Sequence, residues 1–179
     1  MNDVKIYVDA GADRSAPING KHRQCAYTVV RTDGRSESRF YGLGHLRDMS
    51  VAIAEGIIAA LMDLLPEALE SAPELLPNIE IICGSPGFWN RLVQTCEVEI
   101  LDREHARGLD QQDSWKKLAV LAAVFRLPAP RKATGPSEER ALLWVQKERE
   151  KLSKEALSKV SLDASGITEC WRKDLEFSA

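Results

Sequence analysis

The sequence lacks the features that mark a secreted, membrane-spanning or zinc-binding protein. Its 179 residues include four scattered cysteines and three histidines, without a Cys-x-x-Cys pair or a histidine spacing typical of metal ligands. The opening residues MNDVKIYVD have neither the basic segment nor the long apolar run of a signal peptide. No apolar run approaches the ~20 residues that a membrane span requires. We therefore expect a cytoplasmic protein whose cysteines are reduced and mostly buried.

A strong excess of positive charge is also missing. The formal net charge is -3 and the isoelectric point is about 5.7. Such a chain does not coat nucleic acid by bulk electrostatics, although a local basic groove is compatible with this balance. The length suits one domain with an appendage. We predict a domain over residues 1–145, followed by a C-terminal helical extension over residues 146–179.

Alternating apolar residues and turn signals predict an α/β fold. The Asp-Gly pair at residues 33–34 is typical of a tight hairpin between two strands. A three-stranded antiparallel meander followed by helix–strand units gives a five-stranded mixed sheet flanked by helices. The predicted strands are Val4–Asp9, Cys25–Arg31, Ser36–Tyr41, Asn78–Cys83 and an edge strand within 127–136. The predicted helices are Val51–Leu65, Gly84–Val93, Asp113–Arg126 and Glu138–Val160.

The last of these helices is long and has only a narrow apolar stripe. A helix of ~23 residues spans about 34 Å, which exceeds one face of a small sheet. We therefore predict that its first half packs on the sheet and its second half projects towards the tail, a protein partner or a second copy. A frayed, solvated helix is the alternative. The stripe consists of Leu142, Val145, Leu152 and Ala156, and Arg149 interrupts it.

Two acidic residues stand where an acid is unusual. Asp9 ends the first strand in IYVDAGA, and Glu55 lies towards the apolar side of the first long helix. A buried carboxylate is costly unless it is paired or binds a cation. From the residues alone, Asp9 fits either a metal site or a turn. Glu55 fits either a metal ligand or an amphipathic glutamate whose carboxylate is in water.

The stretches YVDAGA and AIAEGIIAAL together resemble the ribonuclease H-like family. The first is similar to the family's opening strand with its aspartate, and the second to its glutamate-bearing helix. The likeness covers about residues 4–145. It implies hydrolysis of phosphodiester bonds by two divalent ions, Mg²⁺ or Mn²⁺, about 4 Å apart and held by four carboxylates. Asp9 and Glu55 then become the candidate catalytic residues and metal ligands.

Two of the family's four carboxylate positions are not acidic in this sequence. Gly84 follows the fourth strand where the family has an aspartate, and Leu142 stands at the aspartate position of the last helix. Glu139, or its neighbour Glu138, is the candidate substitute ligand. Both also suit the first turn of a helix, where the dipole favours acids.

The resemblance therefore implies one of two functions. One is a non-catalytic or weakly active protein, with Mg²⁺ or with no cofactor. It would bind an RNA/DNA hybrid, a duplex or a protein partner within a nucleic-acid-processing assembly. The alternative is an active metal-dependent endonuclease with an atypical metal site. The candidate phosphate contacts are Lys21, Arg23, Arg131 and Lys132, although the basic loop around Lys21 also fits a solvated loop.

Overall fold

The computed structural model describes most of the chain in eight segments and shows a mixed α/β fold. These segments are residues 3–18, 22–41, 49–72, 75–87, 89–90, 114–160, 169–173 and 175. The strands are β1 (Val4–Ile18), β2 (His22–Arg31), β3 (Ser36–Tyr41), β4 (Ile79–Cys83) and β5 (Glu169–Lys173). The helices are α1 (Met49–Met62), α2 (Leu65–Glu70), α3 (Ser114–Phe125) and α4 (Pro136–Val160). None of these helices has the length and apolar character of a membrane span.

One mixed sheet organises the fold, with strand order β4-β1-β2-β3-β5. Strands β1, β2 and β3 form the predicted antiparallel meander, and β4 pairs with β1 in parallel. Strand β1 continues to Ile18 by pairing with β2, with an irregularity in register between Asp13 and Ile18. Residues 11–18 and 22–24 contain turn residues that favour a loop, but they are strand, because cross-strand pairing outweighs that preference.

Among the described residues of the range 1–145 the sheet has four strands, where the sequence predicts five. The segment expected beside β4 makes a single parallel bridge between Ile82 and Arg131. Two backbone hydrogen bonds of 3.0 Å join Arg131 to Ile81 and Cys83. The prolines on either side of residue 129 lack N–H donors, which accounts for the short pairing. The fifth strand of the sheet, β5, comes from the tail and pairs antiparallel with β3 at the other edge.

The core has two layers because β1 is buried on both faces. Val4, Ile6, Val8 and Ala10 belong to the cluster that contains α1 and α3. Tyr7 belongs to a second cluster with residues of α4. Successive side chains of a strand point to opposite faces. We call the two sides the α1 face and the α4 face.

Helix α4 packs against the sheet in both its first half and its second half, as far as Ala156. It continues through the predicted boundary between residues 145 and 146. Leu152 and Ala156 are buried and cluster with Ala26 on β2. The prediction that the second half of this helix projects is therefore wrong, since the three strands of the meander give the helix a wide surface to cross. Self-association through this helix stays a prediction.

Close contact between α1 and the sheet depends on Gly56. A Cβ atom at this position would lie 2.9 Å from Val8 Cγ2 and 3.2 Å from Tyr27 Cδ2. We predict that Gly56→Ala lowers the free energy of unfolding by about 1–2 kcal/mol, because overpacking outweighs the gain in helix propensity. Denaturant unfolding measures this change. Gly84→Ala is the control, since its Cβ would have no atom within 4 Å. An equal effect of both substitutions would contradict the prediction.

Candidate functional site

Asp9 lies on the α4 face of β1, next to the end of β4. The parallel register pairs Val8 with Cys83, the last residue of β4. On the other side Asp9 pairs with Thr28 of β2, which is fully buried. Because Val8 points to the α1 face, the next residue points to the α4 face. The strand therefore presents a carboxylate to the underside of α4.

Arg149 of α4 supplies the charge that Asp9 needs. Its Nε donates a hydrogen bond of 2.6 Å to Asp9 Oδ2, and the two side chains are only 15% and 25% exposed. A second carboxylate, Glu150 Oε1, lies 3.7 Å from Arg149 Nη2. Charge-assisted hydrogen bonds of this kind are stronger than neutral ones. The arginine that interrupts the apolar stripe is therefore paired with the aspartate that interrupts the buried strand.

Gly11 provides the space that the guanidinium occupies. A Cβ atom on Gly11 would lie 2.5 Å from Arg149 Nη1 and 2.6 Å from Arg149 Cζ. These separations are well below van der Waals contact. The arginine thus lies directly against the backbone of β1, and any larger residue at position 11 would force the guanidinium to move.

Glu55 lies in the other layer of the fold. It is half-buried on α1 and accepts a hydrogen bond of 3.0 Å from Ser114 Oγ at the start of α3. Helices α1 and α3 cover the α1 face, whereas Asp9 is bound from the α4 face. The described contacts of Asp9 and Glu55 therefore do not join the two carboxylates. Their catalytic and metal-binding roles stay predictions.

The two non-acidic positions differ in the space they offer. Gly84 is exposed, and a Cβ atom there would have no neighbour within 4 Å. Leu142 is half-buried and packs against the apolar cluster around Tyr7 and Val145. The Cβ atom of a side chain at position 84 would therefore displace no other atom. At position 142 the leucine stabilises the contact between α4 and the sheet.

Glu138, rather than Glu139, is the engaged acid at the start of α4. It accepts hydrogen bonds of 2.8 Å from Lys5 Nζ, 2.7 and 2.8 Å from the two Nη atoms of Arg131, and 3.0 Å from the Thr134 backbone N–H. Glu139 is exposed in the same turn. Ten residues of helix separate Glu139 from Arg149, or about 15 Å. Glu139 therefore lies far from Asp9 along the helix axis.

The predicted phosphate contacts have different surroundings. Arg131 forms ion pairs of 2.7 Å with both Glu80 and Glu138, which occupy its guanidinium. Lys132 is exposed. Lys21 and the side chain of Arg23 lie outside the described residues. Arg131 thus connects β4 to α4. Lys132 is the only one of the four whose side chain the structure describes as exposed and without an ion pair to an acidic residue.

The contacts at Asp9 do not fit a two-metal site. An arginine N–H binds one oxygen of the carboxylate, Oδ2, and the positive charge opposes a cation beside it. Across the described ranges, no group of three or more His, Cys, Asp or Glu side chains is arranged to hold a metal ion. Burial raises the pKa of the nearby Cys83 thiol to about 11. This thiol is therefore protonated at neutral pH and is a poor nucleophile or metal ligand.

A basic stripe on α4 is a surface that sequence analysis missed. Its members share one face of the helix, at spacings of seven, four and three residues, and all are exposed. The stripe lies on the side opposite the buried Val145 and Leu152, and it spans about 21 Å. The helical spacing of these basic residues could have indicated the stripe from the sequence, but several glutamates lie between them on the same helix. The basic stripe consists of Arg140, Lys147, Lys151 and Lys154.

Comparison with known proteins gives a distant structural likeness. No family model and no curated protein matches the chain. Among solved structures, the foamy viral protease-reverse transcriptase in complex with an RNA/DNA hybrid aligns with a TM-score of 0.46 and 13% sequence identity. The alignment covers 80% of this chain and 19% of that chain. The chain thus spans about a fifth of the length of that protein.

The contacts of Glu138 predict a pH-dependent stability. Hydrogen bonds from Arg131 and Lys5 hold the pKa of Glu138 well below its ordinary value of 4.5. The stabilisation is therefore complete above about pH 5 and is lost as the pH falls towards the lower folded-state pKa. We expect Glu138→Gln to lower the free energy of unfolding at pH 7 by about 1–3 kcal/mol. Its stability should also change less than that of the native protein below pH 5.

Denaturant unfolding between pH 3 and pH 7 measures both effects. The control is Glu139→Gln, which removes the same charge from an exposed neighbour in the same turn. We expect this control to lie within about 0.5 kcal/mol of the native protein at pH 7. Equal pH profiles for the two variants would show that Glu138 has no special role.

Proposed function

We propose that this protein is a non-hydrolytic, ribonuclease H-like scaffold that binds nucleic acid through the phosphate backbone. The observation that carries the proposal is the pairing of Asp9 with Arg149. The two carboxylates that the resemblance makes essential have different partners, Arg149 and Ser114, in layers on opposite faces of the sheet.

The topology supports the scaffold part of the proposal. A meander of three strands leads through α1 to β4, which pairs in parallel with β1, and α4 then covers the other face. This is the order implied by the resemblance over residues 4–145. In the part of this region that the structure describes, the sheet is one strand smaller than expected, because the segment near Arg131 makes only a bridge.

The local chemistry supports the absence of hydrolysis. Two-metal cleavage requires cations about 4 Å apart, with oxygen ligands converging from several elements. Asp9 is bound to an arginine, Gly84 offers no side-chain oxygen, and Leu142 is packed in an apolar cluster. Losing ligands in the first coordination sphere costs more than the roughly 10–100-fold typical of outer-sphere losses.

The basic stripe supports a nucleic-acid ligand. An acidic protein can still bind phosphates where its positive charges share one surface. Lys147, Lys151 and Lys154 lie within two turns of one another, so they can contact neighbouring phosphates of one strand. Such contacts position a duplex without reading its sequence. An RNA/DNA hybrid or another duplex is therefore the proposed ligand class.

Binding to a labelled RNA/DNA hybrid tests the proposal. We expect anisotropy to show binding at low salt that is equal in EDTA and in Mg²⁺, with no cleavage of the hybrid on a gel. Lys147→Gln with Lys151→Gln should weaken binding about tenfold and reduce the slope of log affinity against log salt by about two. The matched control is Lys116→Gln with Arg126→Gln, which removes two exposed charges near α3.

The outcomes separate the candidate functions. Mg²⁺-dependent cleavage that disappears in Asp9→Asn would overturn the proposal in favour of the active endonuclease. No binding at 50 mM salt would remove nucleic acid as the ligand and leave a protein partner. Equal losses in both double variants would show that the basic stripe has no special role. Adding Lys132→Gln tests the phosphate contact predicted at that position.

A further inference from the structure

We propose that Arg149 is a built-in cation that occupies the carboxylate of Asp9 and excludes divalent ions from it. This inference deepens the proposed function, on which it rests, by naming what replaces a metal ion in this site. The guanidinium lies between two carboxylate groups, 2.6 Å from Asp9 and 3.7 Å from Glu150. That is the position of a counter-ion.

Burial explains why Asp9 needs this counter-ion. The side chain is three-quarters buried beneath α4, where a carboxylate without a partner loses much of its hydration. The neighbouring groups do not supply the charge: Thr28 is neutral and Cys83 is a buried thiol. Arg149 therefore stabilises both the ionised form of Asp9 and the contact between β1 and α4.

The close contact with Gly11 explains why an ion cannot be added beside the arginine. The guanidinium fills the space above Gly11 so closely that even a methyl group there would overlap it. A divalent ion approaching from this side would have to displace Arg149 against charge repulsion and the loss of a charge-assisted hydrogen bond. Removing the guanidinium leaves Asp9 and Glu150 with an uncompensated negative charge that a cation can neutralise.

Thermal unfolding with and without millimolar Mn²⁺ tests the inference. We expect the native protein to show no Mn²⁺-dependent change in Tm. Arg149→Met should lower Tm by about 4–10 °C without metal, and Mn²⁺ should restore about 3 °C. The added Asp9→Asn substitution should abolish this Mn²⁺ response. The control Arg140→Met, an exposed arginine on the same helix, should show neither effect.

Two further variants separate the charge of Arg149 from its packing. Arg149→Lys keeps the charge, so its Tm should exceed that of Arg149→Met and should not respond to Mn²⁺. Gly11→Ala should lower the Tm of the native protein by several degrees. It should lower the Tm of Arg149→Met less, because the overlapping guanidinium is gone. If Arg149→Met fails to fold and Arg149→Lys folds, the requirement for a cation is supported.

Three results would overturn the inference. The first is a Mn²⁺ response of the native protein that Asp9→Asn abolishes. The second is the absence of a Mn²⁺ response in folded Arg149→Met. The third is equal behaviour of Arg149→Met and Arg149→Lys. Binding of the RNA/DNA hybrid is measured in a separate experiment. If the native protein does not bind the hybrid, the proposed function is refuted, whereas the Mn²⁺ results still test the role of Arg149.

Discussion

Burial of β1 on both faces is the constraint on which the arrangement of the molecule depends. The strand pairs with β2 on one side and β4 on the other, and helices cover it above and below. Its even-numbered residues from Val4 to Ala10 must be apolar, and Gly56 must be small to let α1 approach Val8. Its odd-numbered residues from Lys5 to Asp9 face α4, so the carboxylate of Asp9 requires a positive partner from that helix. Arg149 meets this requirement.

Charged residues consequently fix the position of α4 as firmly as apolar ones do. At its first turn, Glu138 binds Lys5 of β1 and Arg131 beside β4. About three turns later, Arg149 binds Asp9, four residues after Lys5 on the same strand. Partly buried ion pairs contribute less to stability than their number suggests, but leaving one partner unpaired is costly. The two ion pairs therefore select one register of α4 along β1.

Local signals in the sequence were enough to predict the meander, α1 and the start of α4. The hairpin followed from Asp33 and Gly34, and the element order from the periodicity of apolar residues. The role of Arg149 could not be deduced, because its partner is 140 positions away in the chain. An acid in a buried strand and an arginine in a buried helical stripe each require a partner of opposite charge. Only the topology of the fold shows that they are partners of each other. The same is true of β5, whose residues carry no local sign of the strand they pair with.

The pairing of β3 with β5 has a consequence for the order of folding. Tyr41 pairs with Glu169, so the edge of β3 is synthesised well over a hundred residues before its partner. At translation rates of about 5–20 residues per second, the edge of β3 stays unpaired for roughly 6–26 s before β5 is synthesised. An unpaired edge strand can associate with other nascent chains. The edge of β3 is therefore open to such association until the tail has been synthesised.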